Sequence, residues 1–240
     1  MNKKITKAVC EQITVINNRI REILSGNTAN NEKELMTLYQ KYWNIRAEYD
    51  VLDRMFEENG KMGVVDVIGN VVVPALYKGF AEFHNRAIYS FLPIPACDFN
   101  DKYALVTSDG KGTPLCRFEY DKIIILRGSS NYFVCVKKVG ERLQAGVIDS
   151  CGKVIVPCEM DKVYFVSKRI ARVVKDGKMG VLTMNGDFFA PIYDEVEENN
   201  GYLAVCKRGR WGYLGSKGEF VDMAKEEGMD KANLLCLYEY

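Results

Sequence analysis

Histidine is nearly absent: the 240 residues hold one, His84. A Ser-His-Asp or Cys-His centre would have to be built on it. It stands in Phe83-His84-Asn85, near no obvious nucleophile in sequence, and reads as a loop or edge histidine. Close-spaced cysteines are missing as well. The eight, at 10, 97, 116, 135, 151, 158, 206 and 236, form no CxxC pair. Cys151 and Cys158 are the nearest two, and they flank a strand rather than a zinc knuckle. Cys135 and Cys206 lie in alternating apolar runs, where a thiol packs as a small hydrophobe, so reduced structural cysteines are expected. There is no phosphate loop either. Ser108-Asp109-Gly110-Lys111-Gly112 and Val139-Gly140-Glu141 match neither Walker A nor GxGxxG and read as hairpin turns. The expectation is a protein without catalytic residues, cofactor or metal.

An excess of charge is also lacking. Thirty-three Lys+Arg against thirty-two Asp+Glu leave a net charge of +1, so no field of one sign draws in nucleic acid or an anionic membrane. The basic stretch Lys207, Arg208, Arg210, Lys217 and the acidic residues Glu219, Asp222, Glu226, Glu227, Asp230 read as solvated faces. No run approaches the 18 or more apolar residues of a membrane span. Met1-Asn2-Lys3-Lys4 is followed by Lys7, Glu11, Gln12, Asn17 and Asn18, not by the apolar region of a signal peptide, and a cytoplasmic location is expected.

What the chain does have is a repeat. A glycine followed six residues later by another occurs at Gly63/Gly69, Gly146/Gly152, Gly180/Gly186 and Gly212/Gly218, and a degenerate copy pairs Ala104 with Gly110. The first positions are 41, 42, 34 and 32 residues apart, the mark of a chain built by stacking one supersecondary unit.

Residues 1–58 lie outside that period. Val9, Ile13, Ile16, Ile20 and Ile23 follow 4-3-4-3 spacing, and Leu35, Leu38, Tyr42, Ile45, Tyr49, Leu52 and Phe56 follow 3-4-3-4-3-4. Each pattern lays one apolar stripe on a helix. Ser25 to Asn30 reads as a loop, and Asn31 with Glu34 as a capping box for the second helix. The prediction is an antiparallel hairpin of about five and seven turns. It either packs on the first repeat or forms a homodimer or partner-binding coiled coil.

After Glu58 the period becomes two. Tyr132–Lys137, Ile170–Lys175 and Tyr202–Lys207 read as strands, each leading through a glycine-bearing turn into a glycine-initiated strand such as Gly180-Val181-Leu182-Thr183. A tight turn follows, as in Asp149-Ser150-Cys151-Gly152. There an Asp or Thr oxygen accepts backbone N–H bonds and the glycine takes positive φ. Gly69, Gly110, Gly152, Gly186 and Gly218 are these turn residues. A third strand closes on proline, at Pro74, Pro157 and Pro191. The acidic run Asp194-Glu195-Val196-Glu197-Glu198 reads as a solvated loop rather than a glycosidase pair. Tyr77, Tyr120, Tyr193 and Trp211 hold repeat positions and read as packing residues.

The unit so assembled resembles the WG-repeat family, whose copies run roughly KWGxIDxxGxxVIPxxYD. Gly177-Lys178-Met179-Gly180 through Pro191-Ile192-Tyr193-Asp194 carries the resemblance, with Arg210-Trp211-Gly212-Tyr213, Gly146 to Pro157 and Gly60 to Tyr77. It covers residues 60–222. Trp211 alone keeps the namesake tryptophan; Met62, Ala145 and Met179 stand in its place elsewhere. The resemblance implies a binding or scaffolding array without shared catalytic residues.

The expected fold class is therefore α+β, mainly β. A helical hairpin (1–58) precedes an array of about five three-stranded antiparallel meanders (59–240), with a divergent cap at 223–240. An open capped array is favoured over a closed propeller. The expected function is a non-catalytic protein-interaction or scaffold module; the alternative is a small-molecule or glycan-binding protein, or an enzyme, using a cleft of the array. A protein partner is expected, and nucleic acid and membrane are not. The expected contact residues are Phe91, Leu92 and Ile94, in an apolar insertion that interrupts the period.

Overall fold

In the computed structural model, the branched apolar stripe of the N-terminus closes as two helices, α1 (Lys7–Leu24) and α2 (Glu32–Glu48). The structure describes residues 6–24, 32–48, 54–66, 69–81, 93–125, 132–166, 169–199, 201–215, 217–222 and 234. Thr6 caps α1: its hydroxyl oxygen accepts the Val9 N–H at 3.4 Å and its carbonyl the Cys10 N–H at 3.0 Å. Val9, Ile13, Ile16 and Ile20 are buried with Tyr42 and Ile45 of α2, and Leu35, Leu38 and Tyr39 pack against them. This cluster draws its described members from the hairpin alone. The predicted capping box rests on Asn31, which lies outside the described residues. The Glu34 carboxylate takes a two-pronged contact from Arg19, Nε to Oε1 at 2.7 Å and Nη2 to Oε2 at 3.0 Å, which ties α1 to α2.

The second helix is shorter than its stripe suggests. Leu52 and Tyr49 lie outside the described residues, and Phe56 belongs to a strand, β1 (Arg54–Glu58). Asn59 and Gly60, both at positive φ, turn that strand back into β2 (Lys61–Val65), placing Phe56 opposite Gly63. An Asn-Gly turn of this kind matches the right-handed twist of two strands, and it overrides the helical spacing of one phenylalanine.

Five antiparallel sheets follow, each a linear run of strands in which every neighbour in space is a neighbour in sequence. The first is β1-β2-β3, with β3 at Val71–Tyr77. The second is β4 (Gly79–Phe80), β5 (Ile94–Cys97) and β6 (Tyr103–Val106). The third contains β7 (Lys122–Ile125), β8 (Tyr132–Val139), β9 (Arg142–Asp149) and β10 (Val154–Met160). The fourth contains β11 (Lys162–Phe165), β12 (Ile170–Lys175), β13 (Lys178–Thr183) and β14 (Phe188–Tyr193). The fifth contains β15 (Glu195–Asn199), β16 (Tyr202–Lys207), β17 (Arg210–Leu214) and β18 (Phe220–Asp222). The last three sheets thus have a fourth strand leading the meander. In the fifth, that strand is the acidic run read from sequence as a loop. The strand buries Val196 and exposes Glu195 and Glu197, a sound pattern for a sheet edge, while Glu198 pairs with Arg169 at 3.1 Å.

The chain divides into two compact units, Met1–Ile123 with Ser150–Gly152, and Ile124–Asp149 with Lys153–Tyr240. In the first, one core lies between the first two sheets: Val64, Val72, Val73 and Tyr77 meet Ile94, Ala96 and Val106. In the second, the fourth sheet is apolar on both faces, as a stacked repeat must be. Ala171, Val173 and Leu182 join Val134, Val147 and Val156 of the third sheet. Ile170, Val181 and Tyr193 join Val196, Leu203 and Leu214 of the fifth. Alternation along β12 and β13 sends successive side chains into these two cores. No helix among the described residues is long and apolar enough to cross a membrane.

Candidate interaction surface

The repeat signature is consumed by the fold, and each of its residues has a nameable task. The tight turn after the second meander strand is an acceptor side chain at one end and a backbone N–H four residues on. Asp66 Oδ1 accepts from Asn70 and Asp149 Oδ1 from Lys153, each at 2.9 Å; Thr183 Oγ1 accepts from Asp187 at 3.1 Å, and Asp98 Oδ1 makes the same contact with Lys102 in the turn between β5 and β6, ahead of the Ala104 strand. The glycines Gly69, Gly110, Gly152, Gly186 and Gly218 hold φ between +80° and +97°. Gly110, Gly186 and Gly218 also lie close to the preceding sheet. The Gly110 N–H donates to the Val72 carbonyl at 2.9 Å, and a Cβ on Gly186 would stand 2.9 Å from the Tyr132 hydroxyl.

The first glycine of each pair does not start its strand. Gly63, Gly146, Gly180 and Gly212 are the third or fifth residues of β2, β9, β13 and β17. The third strand bulges over the first three of them, shown by register shifts between Met62 and Val64, between Val156 and Met160, and between Met179 and Val181. A Cβ on Gly146 would lie 2.7 Å from the Val156 carbonyl oxygen, and one on Gly63 2.8 Å from that of Val73; Gly180 and Gly212 are tighter still. No side chain fits there. Nor does the third strand end on its proline: β3, β10 and β14 run on through Pro74, Pro157 and Pro191 to a buried Tyr77, Met160 or Tyr193. All three are terminal strands of their sheets, where a missing N–H breaks no ladder.

The Tyr-Asp pair that closes a copy ties it to the next hairpin. Burial pushes the Tyr193 and Tyr77 phenols up, and the Tyr77 hydroxyl donates to the Gly112 carbonyl. Asp194 pairs with Lys178 and accepts the Gly209 N–H, which together hold its carboxyl below the usual range. Asp161 accepts the Asp176 N–H at 2.7 Å in the equivalent place. In the second sheet, burial raises Asp98, but the N–H groups of Lys102 and Asn100 outweigh it and the carboxyl titrates low. Asp109 behaves alike: burial is outweighed by the Thr107 hydroxyl and the Lys111 N–H.

The sequence-predicted contact residues fare differently. Phe91 and Leu92 lie outside the described residues, as does His84. Ile94 is only 2% exposed and sits in the core between the first two sheets, so it is a packing residue and not a contact. Its segment forms β5, the central strand of the second sheet, despite Pro95. Pro95 accepts the Ala81 N–H through its carbonyl but has no N–H to return, and β4 ends at Phe80. Apolar side chains are offered to solvent elsewhere, on the terminal strands. Val71 and Leu76 of β3 are both 47% exposed, Val154 of β10 52% and Ile192 of β14 48%. Their signal in the sequence was the alternation around each proline, which places one residue in and the next out. No group of three or more His, Cys, Asp and Glu is placed to hold a metal among the described residues.

Residues 146–178 and 188–211 match the family of the WG containing repeat. No curated protein matches the chain.

Proposed function

We propose that this chain, a protein of WG containing repeats, is a non-catalytic module that binds a protein partner through the outer strands of its sheets. The supporting observation is the recurrence of exposed apolar side chains at Val71, Leu76, Val154 and Ile192 on terminal strands of the first, third and fourth sheets. Beyond the Val72 carbonyl, which takes the Gly110 N–H, the outer edge of such a strand offers a partner backbone hydrogen bonds as well as apolar contact. The signature residues themselves are committed to turns, bulges and cores, which leaves recognition to the residues that vary between copies. Affinity capture from lysate with the full-length protein tests the reading, compared with a Val154→Asp, Ile192→Asp variant of unchanged circular dichroism. A stoichiometric protein whose recovery falls at least tenfold with the variant is the expected result. Recovery of nothing above background by the wild type, or equal recovery by both, overturns it.

A further inference from the structure

The bulge over the first glycine has an additional chemical consequence in the third sheet. Cys135 of β8 stands opposite Gly146 of β9 in register, and a Cβ on that glycine would fall 2.8 Å from the Cys158 Cα of β10. The missing side chain lets residues of β8 and β10 approach across β9, which lies between them. The Cys158 thiol donates to the Gln144 carbonyl at 3.1 Å and lies 3.6 Å from the Cys135 carbonyl. The neighbouring Cys158 thiol, together with burial, pushes the Cys135 thiol up. Other sheets put Phe56 and Val173 opposite the glycine, and Ala75 and Ile192 after the proline. The two thiols therefore stand where the other copies carry apolar side chains.

We propose that Cys135 and Cys158 are a redox-sensitive dithiol, which a hydroperoxide converts into a disulfide clamping β10 to β8 across Gly146. Cys135 is 1% exposed and Cys158 is half-buried, so Cys158 meets the oxidant first. Its sulfur attacks a peroxide oxygen, the O–O bond breaks, and a sulfenic acid and one water result. The Cys135 sulfur then attacks the Cys158 sulfur; the S–S bond forms, the S–O bond breaks, and hydroxide leaves as a second water with the thiol proton. Two thiols lose two electrons and two protons, and one hydrogen peroxide becomes two waters. This inference is independent of partner binding, because its product is covalent.

The test treats the folded full-length protein with hydrogen peroxide and follows intact mass and non-reducing peptide maps. The first disulfide formed is expected to join the peptides of Cys135 and Cys158, to raise the melting temperature, and to vanish with dithiothreitol. Cys158→Ser and Cys135→Ala, each checked by circular dichroism, are expected to abolish it. If only one variant folds, that variant alone decides. A first disulfide between other cysteines overturns the proposal, as does Cys158 reaching sulfinic acid with no disulfide formed.

Discussion

The fourth sheet and the second sheet are the regular and the degenerate versions of one design. In the fourth, Gly180 lies under a bulge of β14, and the third meander strand pairs from Phe188 to Tyr193. In the second, Ala104 occupies the glycine's place and no regular third strand follows β6: residues 107–121 join it through the bridges Val106 to Pro114 and Tyr103 to Tyr120 and through the Leu115 N–H, which donates to the Leu105 carbonyl at 2.8 Å. The difference teaches what the first glycine is for. It makes room for a neighbouring backbone, and where that backbone withdraws, a methyl group returns and is fully buried. The second glycine is kept in both sheets, at φ +85° for Gly110 and +97° for Gly186, because the turn persists when the third strand does not.

The largest effect should come from forcing the two sheets to exchange this residue. Gly180→Ala drives a methyl into the Phe189 carbonyl and should cost roughly 3 kcal/mol in urea unfolding, whereas Ala104→Gly should cost only about 1 kcal/mol. Equal losses would remove the distinction. A smaller effect is expected at the turn. Gly186→Ala retains space problems only with the Tyr132 hydroxyl but must hold a left-handed residue, and should cost about 1–2 kcal/mol by the same measurement.

Acid should separate the sheets most gently. The second sheet's turns rest on Asp98 and Asp109, both with folded values below the ordinary carboxylate range, while the fourth sheet's turn rests on the Thr183 hydroxyl. A depressed folded value means stability that is complete above the unfolded value of about 3.9 and lost as pH falls through the folded value. Amide shifts of Lys102 and Lys111, followed by NMR between pH 6 and 2.5, should therefore hold constant above about pH 4 and move below it. Movement already complete above about pH 4 would show that these carboxylates are not what holds the second sheet's turns.

Much of this was legible in advance because it is local. The α1 stripe, the five turn glycines and the Asp or Thr acceptors depend on residues within a few positions of one another, and sequence spacing reports them directly. What escaped depends on partners distant in sequence. Phe56 fits a helical stripe, and only its position opposite Gly63 makes it a strand residue. Ile94 looks like an exposed apolar insertion until Val64 and Val73 are seen against it. Proline was read as a strand's end, although an outer strand can pass through one without losing a bond. The Asn59-Gly60 pair was the available signal for the first hairpin, and it carried more weight than the apolar spacing beside it.

Sheets whose strands pair only with their neighbours in the chain also set how the protein comes into being. Every ladder from β1 to β18 closes a loop between consecutive segments, so the entropy of bringing its ends together stays small. Low contact order of this kind favours rapid folding and lets a meander form while later residues are still being synthesised. The apolar faces left bare on each new sheet then wait only for the next thirty or forty residues to emerge and cover them.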